Sequence, residues 1–335
     1  IRSSYSTISR ENLSTTVLSI LMEVPNTGYK RMRGFLLQRG IKVPENRVRE
    51  IMRVVDPSGV YQRTSANRAI VRRVYFVQYS NDLWHIDTNM KLVRWKIVIR
   101  GGIDGRSRVC TYLVAVGNNS SESNFLAFRS AVQRYGIPNK CRSDKGRENI
   151  LVARFMLEAR GVGRGSHICG RSVHNQRIER FWRDVFYGCL CFYKRLFVKL
   201  ENDGYLCADN PRDLFALHYL MLPRLNQHLQ LFMEGWNNHP LSTESNKSPL
   251  QVMISSLPPP YYDLHYNEVT HALDATVNDE NDLSLFTEPT EMTAPSSINF
   301  HPSPEQEIQL QQIDPLQLCS DYAYSLYRQI RLILS

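Results

Sequence analysis

Three short runs of β-branched and apolar residues follow one another between residues 83 and 116 and are broken by glycines and charged residues. They read "LWHIDTNM", "KIVIRGGIDGRSR" and "VCTYLVAV", and each is typical of a strand. After them, segments with a helical period alternate with shorter strand-like segments to about residue 255. This order predicts a mixed α/β domain, in which a sheet is flanked by helices.

The region before residue 57 has a different pattern and predicts three helices. The first is expected to have Ser9 as its N-cap and to stop before Pro25, and the second lies between Gly28 and Gly40. The third, "ENRVREIMRVV", has an apolar face at helical spacing, and its other face carries Asn46, Arg47, Arg49 and Arg53. Two short helices joined by a tight turn, the second of them basic, indicate a helix-turn-helix or a small helical bundle with a basic face.

Two further regions complete the predicted domain organisation. Residues 57–81 are a basic connector, which is expected either to lie along DNA or to serve only as a linker. From about residue 256 the chain is acidic, and half of its 16 prolines lie between Pro258 and Pro315. That composition predicts a largely disordered tail, 256–335, with one helix in "DYAYSLYRQIRLIL". The predicted units are thus a helical domain (1–56), the connector, a core (82–255) and the tail.

The charge is distributed unevenly along the 335 residues, which carry a net charge of +9. Residues 81–255 have 25 Lys and Arg against 15 Asp and Glu, whereas residues 256–335 have 2 against 12. A basic body with an acidic tail indicates a polyanionic partner, with nucleic acid first. The alternative is a basic solvated surface without a partner. We also hypothesise that the tail folds over the basic face and competes with DNA.

Several classes of protein are disfavoured by what the sequence lacks. There is no run of about 18 apolar residues, so a membrane span is not expected. The seven cysteines include no CxxC pair, which argues against a zinc site and favours buried, reduced thiols. Because the first residue is Ile1 rather than Met, we expect a fragment from which an N-terminal targeting signal could be missing.

Three carboxylates occupy places in the predicted core where their chemistry could combine. Asp87 lies in the first strand, Asp144 follows a later strand in "SDKGREN", and Glu179 lies in a helix that opens near His174. Such residues can converge at one edge of a sheet and hold two divalent cations about 4 Å apart. Clustered carboxylates repel one another without cations, and their hard oxygens suit Mg²⁺ or Mn²⁺ better than zinc. Solvated loop residues, a helix cap and a surface ion pair would be the simpler interpretations.

The neighbours of these carboxylates extend the prediction to nucleic acid. Asn175 and Arg183 lie one turn on either side of Glu179 and could help to seat a metal and a phosphate. Between Arg129 and Arg183 there are 13 Lys and Arg against 4 Asp and Glu. The residues expected to neutralise DNA phosphates near the site are Lys145, Arg147, Arg164, Arg171, Arg180 and Arg183. Sequence preference is expected from the basic face of the third helix.

Some nearby residues are predicted to support the fold. His85 is expected to point to the opposite face of the sheet from Asp87 and to have a core or supporting role. Asp104, between two glycines, is expected in a turn. Trp236, Asn237 and Asn238 are expected to brace the fold rather than to bind bases.

Several segments resemble those of a known family when taken in this order. "LWHID", "GGIDGRSR", "SDKGREN" and "HNQRIERFWRDV" resemble the integrase core of retroviral integrases and related DDE transposases. Residues 236–253 resemble the segment that closes that core, and residues 28–53 resemble the helix-turn-helix of some bacterial insertion-sequence transposases. Over residues 9–54 and 82–255 the chain also resembles a group of animal integrase core domain proteins derived from mobile elements.

The resemblance implies an RNase H-like fold with a mixed five-stranded sheet, preceded by a helix-turn-helix. It implies that Asp87, Asp144 and Glu179 are the catalytic and metal-binding residues. In such enzymes two Mg²⁺ (or Mn²⁺) ions activate water to nick DNA and then activate the freed 3′-hydroxyl for strand transfer. DNA is the implied partner, no membrane is involved, and a homo-oligomer (a dimer or tetramer) and a nuclear location are expected.

The sequence also departs from this family. Lys145 stands where the family usually has Asn, and the interval from Asp144 to Glu179 is one residue shorter than the commonest one. Extra sequence before Trp236 predicts an added helical element, and no zinc-binding N-terminal module is visible. Lys145 favours a domesticated DNA-binding protein without turnover as the second hypothesis. An RNase H-type or resolvase-type nuclease and a purely structural interaction protein are two further hypotheses.

Overall fold

The computed structural model describes residues 5–65, 76–170, 175–258 and 298–335. The N-terminal part is helical, as predicted, with the Ser9 side chain capping the first helix and Gly40 in the left-handed region at φ +75° after the second. Its helices pack around a core of their own that includes Leu13, Phe35 and Ile51. The four helices are α1 (Arg10–Glu23), α2 (Tyr29–Gln38), α3 (Glu45–Val55) and α4 (Pro57–Ser65).

The helical unit continues into the predicted connector. Helix α4 begins at Pro57, directly after α3, and it is held there by Asp56. The Asp56 carboxylate accepts the N–H of Gly59 at 2.9 Å and pairs with Arg63 at 2.8 Å. Residues 66–75 of the connector lie outside the described residues.

A five-stranded mixed sheet forms the centre of the core, which confirms the predicted architecture. Its order is β3-β2-β1-β4-β5, with β1, β2 and β3 antiparallel and β4 parallel to both β1 and β5. Because β1 and β4 are parallel, their carboxyl ends lie at the same edge of the sheet. The strands are β1 (Leu83–Asn89), β2 (Val98–Asp104), β3 (Cys110–Val116), β4 (Lys140–Ser143) and β5 (His167–Cys169).

Helices cover both faces of this sheet. Trp84 and Ile86 face one layer, in which Phe125, Phe128 and Phe155 are buried. The opposite face packs against a larger apolar cluster that contains the extra helices predicted before Trp236. The first layer is α5 (Ser121–Tyr135) and α6 (Ile150–Arg160); the second is α7 (Gln176–Val185), α8 (Cys191–Asn202) and α9 (Pro211–Asn238), and α10 (Pro249–Ser255) follows.

Helix α9 closes the open edge of the sheet at β3. The Asn226 side chain exchanges two hydrogen bonds with the backbone of Ala115, at 2.8 and 2.9 Å. Asn237 does the same with the backbone of Cys110, at 2.8 and 3.0 Å. These amides satisfy backbone groups that an edge strand would leave open. Asn237 therefore braces the fold, as predicted.

The N-terminal helical unit packs closely against the core where α2 crosses α9. A Cβ atom on Gly34 would lie 2.5 Å from the backbone oxygen of Gly235, so the two helices approach at a distance that only glycine allows. Arg31 of α2 stacks on Phe232 at 4.9 Å and donates to the backbone oxygen of Asp184 at 3.3 Å. The turn Phe186–Leu190, a single wide helical turn between α7 and α8, lies at this junction.

The C-terminal segment is folded in its last part. Residues 298–335 contain α11 (Pro304–Gln311) and α12 (Tyr324–Ile333), and the second of these confirms the final helix predicted from the sequence. Leu310, Leu326 and Ile330 belong to the large apolar cluster with α8 and α9. This part of the tail thus packs on the apolar core and not over the basic residues near Asp144. Residues 259–297 lie outside the described residues.

Two further expectations are met in part: Cys169 and Cys207 are exposed rather than buried, and Asp104 is the last residue of β2 rather than a turn residue. All seven cysteines are free thiols, and Cys110, Cys141, Cys189 and Cys191 are buried. Asp104 is buried at the end of β2, where its carboxylate accepts the N–H and the hydroxyl of Ser107 and so organises the following turn. Among the helices that the structure describes, none is both long and apolar enough for a membrane crossing.

Candidate active site

Asp87 lies on β1, where its backbone pairs in register with Gly101 of β2. Its Oδ2 atom accepts a hydrogen bond of 2.7 Å from the indole nitrogen of Trp182, on α7. A Cβ atom on Gly101 would come within 2.7 Å of the Trp182 ring. The glycine opposite Asp87 therefore makes room for the indole that binds this carboxylate.

Asp144 follows β4 at the same edge of the sheet. Its Oδ1 atom accepts the backbone N–H of Gly146 at 3.2 Å and the side-chain amide of Asn149 at 3.0 Å. Asn149 is buried and in turn accepts a 3.0 Å hydrogen bond from the Asn124 amide of α5. Two buried asparagines thus link the Asp144 carboxylate to the helix layer on one side of the sheet.

Glu179 is exposed in the first turn of α7. Asn175, at the start of this helix, donates to the backbone oxygen of Ile86 at 3.0 Å, and its Oδ1 lies 2.5 Å from Nδ1 of His85. These two hydrogen bonds fasten the start of α7 to β1. They place Glu179 near Asp87 without a direct bond between the two carboxylates.

The positions of Asn175 and His85 correct two predictions. Asn175 was expected at the DNA, but only 2% of its surface is exposed and its side chain is used to join α7 to β1. His85 was expected on the opposite face of the sheet from Asp87. Residues two apart on a strand point to the same face, and His85 accordingly faces α7, as Asp87 does. Burial lowers the pKa of His85 to about 4, so the ring is neutral.

The three carboxylates interact electrostatically. Burial, followed by the charge of Asp144, raises the pKa of Asp87 to about 7, and Glu179 contributes in the same direction. Burial and the charge of Asp144 also raise the pKa of Glu179, whereas Lys91, just after β1, lowers it. Carboxylates that raise one another's pKa in this way are stabilised in their charged forms by a cation between them. The sheet edge therefore concentrates negative charge in the midst of a basic chain.

A fourth acidic residue, Glu148, adjoins this group on the other side of β1. Burial and the charge of Asp144 raise its pKa, and Arg100 and a hydrogen bond from Thr88 act against that rise. The Glu148 carboxylate lies over Gly146, where a Cβ atom would come within 2.4 Å of it. Glu148 thus accounts for the glycine in "SDKGREN".

The donor set fits a hard divalent cation such as Mg²⁺ or Mn²⁺. The side chains offered are carboxylates, with no imidazole or thiol among the three predicted ligands, and their mutual repulsion is what a cation would relieve. As the side chains stand, no three His, Cys, Asp or Glu residues of the described ranges are arranged to hold an ion. Glu179, exposed on its helix, is the predicted ligand with most freedom to change rotamer.

Basic residues surround the acidic edge. Lys145 and Arg147 are exposed after β4. Arg164 was predicted near the site, but it lies in the turn between α6 and β5, at the opposite edge of the sheet, because β5 runs parallel to β4 and begins after this turn. On α7, Arg180 is exposed and pairs with Asp184 at 2.8 Å, and Arg183 is half-buried. Arg171 and His174 lie outside the described residues.

The four predicted DNA-reading residues of α3 divide into two pairs. Asn46 and Arg53 are exposed. Arg47 donates to the backbone oxygen of Ile8, and Arg49 stacks on Tyr29 and pairs with Glu45 at 2.7 Å. Arg47 and Arg49 are therefore engaged within the helical unit, which leaves Asn46 and Arg53 as the accessible pair.

The comparisons with known proteins agree with this architecture. A family described as an integrase core domain matches residues 74–258. This is more than half of the chain, which therefore belongs to the integrase core domain family and has an RNase H-like core. The resemblance of residues 82–255 to an integrase core is thereby confirmed. No curated protein matches the chain.

Two solved structures are similar at low sequence identity. One is the HTLV-2 integrase catalytic core domain in complex with magnesium, in a trimeric form: it is 17% identical, with 52% of this chain and 97% of that one covered and a TM-score of 0.35. The other is the simian T-cell lymphotropic virus intasome in complex with the PP2A regulatory subunit B56 gamma. It is 13% identical, with 74% and 77% covered and a TM-score of 0.40.

Sequence reasoning missed the residues that hold the carboxylates in place. Trp182 shares the helical spacing of the apolar residues Ile178, Phe181 and Val185 and is buried with them, but its N–H bond to Asp87 depends on the register of β1 and β2. Asn149 was not singled out at all. An asparagine five residues after Asp144, at the start of a helix, was the one available indication of its role.

Proposed function

We propose that this chain is a DDE-type polynucleotidyl transferase that binds DNA and carries out metal-dependent strand cleavage and strand transfer. The observation that supports this most is the electrostatic coupling of Asp87, Asp144 and Glu179, which come from β1, the end of β4 and α7. Structural ion-pair networks also shift pKa values, but here burial raises the pKa of Asp87 and Glu179 first and the like charge of Asp144 adds to the rise, at the edge of an integrase core.

In this proposal Asp87, Asp144 and Glu179 are the ligands of two Mg²⁺ or Mn²⁺ ions. When bound, such ions activate the attacking oxygen and stabilise the leaving oxygen of a phosphodiester. The protein orients the ligands through Trp182 on Asp87 and Asn149 on Asp144. The carboxylates of Asp87 and Asp144 are thus oriented before DNA binds, which reduces the reorganisation needed for catalysis.

The basic surface around the site is proposed to bind the DNA backbone. Exposed cations within a Debye length of the site attract phosphates, and the affinity should fall steeply with salt. Asn46 and Arg53 on α3 are the proposed contacts to bases or to a more distant part of the duplex. The proposed backbone contacts are Lys145, Arg147, Arg171, Arg180 and Arg183. A homo-oligomer and a nuclear location are part of the same proposal.

The decisive experiment is a strand-nicking and joining assay with Mn²⁺ on the intact chain and on Asp144→Asn. The variant keeps the size of the side chain and removes its charge, so activity should fall by at least 100-fold, on the order of what one electrostatic group contributes to catalysis. Glu158→Gln is the matched control, because Glu158 forms an exposed pair with Arg154 on α6, away from the site. Equal activity of the intact chain and Asp144→Asn, above a protein-free control, would rule out the assigned site.

A second candidate is a domesticated nucleic-acid-binding protein without turnover, and Lys145 favours it. This residue places an exposed cation directly after Asp144, at the position where the family usually has a neutral amide. If the intact chain binds DNA in a salt-dependent manner and does not nick it with Mn²⁺, this candidate replaces the first. Lys145→Asn then shows whether the lysine itself is responsible, because recovery of nicking would identify it as the cause.

A further inference from the structure

We propose that Trp182 is a positioning residue for Asp87, whose carboxylate it holds through the indole N–H. The inference rests on the proposed function and adds a residue to its site. Trp182 Nε1 lies 2.7 Å from Asp87 Oδ2, and the ring is 6% exposed. The bond joins α7, which carries Glu179, to β1, which carries Asp87, so it also fixes one metal-ligand element relative to the other.

The surroundings of the ring show that the backbone is built around this contact. Gly101 pairs with Asp87 across β1 and β2, and any larger residue there would place its Cβ atom 2.7 Å from the indole. On its other side Trp182 packs against Phe181, with ring centroids 5.9 Å apart. The indole is thus confined between the sheet and its own helix, in an orientation that directs the N–H at the carboxylate.

A buried indole N–H needs a hydrogen-bond acceptor. Here the acceptor is the carboxylate of Asp87, which is a proposed metal ligand. The terminal torsion of an aspartate is broad, so a free carboxylate samples many orientations. The Trp182 bond ties Oδ2, and the N–H of Thr88 also bonds to the carboxylate. Groups that orient metal ligands in this way typically contribute 10- to 100-fold in metal affinity or activity. A phenylalanine at this position would fill apolar space without donating a hydrogen bond, so packing alone does not account for the tryptophan.

The chain contains a matched control for this bond. Trp236 lies in the same aromatic cluster, 4.9 Å from the ring of Phe181, and its indole N–H donates to the backbone oxygen of Arg108 at 2.9 Å. Trp182→Phe and Trp236→Phe remove the same atoms from the same cluster. Only the first removes a hydrogen bond to a proposed metal ligand.

The test measures Mn²⁺ affinity of the full chain by electron paramagnetic resonance, which detects free Mn²⁺ and needs no DNA or turnover. Trp182→Phe should weaken binding by about 10-fold or more, whereas Trp236→Phe should stay within about twofold of the intact protein. Unchanged affinity of Trp182→Phe, with binding still lost in Asp144→Asn, would overturn the positioning role and leave the proposed function intact. No saturable binding by the intact chain would instead overturn the proposed function and this inference together.

A second measurement covers the case in which Trp182→Phe does not fold. The chain has 4 tryptophans, so selective ¹⁵N labelling gives four indole signals, one for each ring. In Asp87→Ala the Trp182 signal should shift and exchange with solvent faster, and those of Trp84, Trp95 and Trp236 should stay in place. In the intact protein Mn²⁺ should broaden the Trp182 signal first. If Asp87→Ala leaves the Trp182 signal unmoved, the bond does not exist in solution and the inference fails.

Discussion

The two ends of the chain both pack against the core helix α9, but they do so in different ways. The N-terminal helices have an apolar core of their own and touch α9 through glycines, where Gly34 meets Gly235. The C-terminal helices α11 and α12 have no separate core, and their apolar side chains belong to the same cluster as α8 and α9. The first is a docked domain, and the second completes the core.

This difference suggests different roles for the N-terminal unit and the C-terminal segment. A docked unit that carries Asn46 and Arg53 can present them to DNA at a fixed place relative to the carboxylates. The C-terminal segment covers the helices that the sequence adds before Trp236 and buries their apolar side chains. Four predictions test the comparison.

Removal of the chain after Pro258 should have the largest effect. It uncovers the apolar side of α9 by deleting seven buried side chains, from Leu310 to Leu334. At about 1.5–3 kcal/mol for each large buried side chain, the loss is of the order of 10 kcal/mol, comparable to the whole stability of a domain. We expect an aggregated or molten protein by circular dichroism and size-exclusion chromatography.

Removal of residues 1–65, the whole N-terminal helical unit with α4 included, is the matched deletion and should leave a cooperatively folded core. The same two measurements decide between the ends: a truncation at Pro258 that unfolds at the denaturant midpoint of the intact chain would show that the C-terminal segment is the docked unit. The outcome of the C-terminal deletion also bears on the hypothesis that the tail competes with DNA. Deletion of residues 256–335 cannot show competition between the tail and DNA if it unfolds the core.

Arg331→Met should have the next largest effect, because it removes the nearer of two cationic partners of a buried carboxylate; the other, Arg212, lies at 3.9 Å. Arg331 on α12 pairs at 2.9 Å with Asp213, whose side chain is 1% exposed, on α9. The N–H of Cys207 remains bonded to Asp213 and Arg331 is itself partly exposed, so we expect a loss of about 2–3 kcal/mol in the free energy of unfolding. Denaturant titration measures it. Arg328→Met on the same helix, where Arg328 is exposed over Tyr205, should cost less than about 1 kcal/mol.

The sequence predicted those features of the two ends that depend on neighbouring residues, and it did not predict those that depend on residues far away in the chain. Helix α3 was predicted with its bounds because Val48, Ile51 and Met52 repeat at helical spacing and are buried. The final helix was also predicted, but its packing was not, since the acidic composition before it dominated the interpretation. Its partner, Asp213, lies more than a hundred residues away and is recognised only when the fold is known.

The same reasoning explains the candidate site. Asp87, Asp144 and Glu179 could be chosen because strand ends and helix starts are visible in the sequence. The role of Trp182 could not be, because it depends on which glycine of β2 lies opposite Asp87. Asn175 had the predicted place on the helix, but its burial depends on the distance between α7 and β1.

Gly34→Ala should loosen the N-terminal unit with a smaller cost. The added methyl group meets the backbone oxygen of Gly235, which cannot move as a side chain can, and overpacking of this kind costs about 1–3 kcal/mol. Part of this is offset by the better helix propensity of alanine, about 1 kcal/mol. Hydrogen exchange should become faster in α2 than in the sheet. In Gly28→Ala the added Cβ atom would have only an ordinary contact at 3.7 Å, and the exchange pattern should not change.

The smallest effect is expected from pH at the same junction, and its sign follows from His239. Burial lowers the pKa of His239 to about 4, and the charges of Arg31 and Lys30 of α2 and of Arg108 act in the same direction. The ordinary pKa of histidine is near 6.5. Between these two values the unfolded chain binds a proton that the folded chain does not, so stability is lost as pH falls from about 6.5 towards 4.

At pH 5.5 this loss amounts to about 1 kcal/mol for one histidine. His239→Phe removes the titration and keeps a ring against Trp236, so exchange in α2 should no longer accelerate between pH 7.5 and 5.5. His228, whose pKa burial likewise lowers to about 4, faces Tyr193 of α8, and His228→Phe should change global unfolding without changing the pH dependence in α2. If both variants altered α2 equally, the N-terminal unit would unfold together with the core, and the distinction between a docked domain and a completed core would not hold.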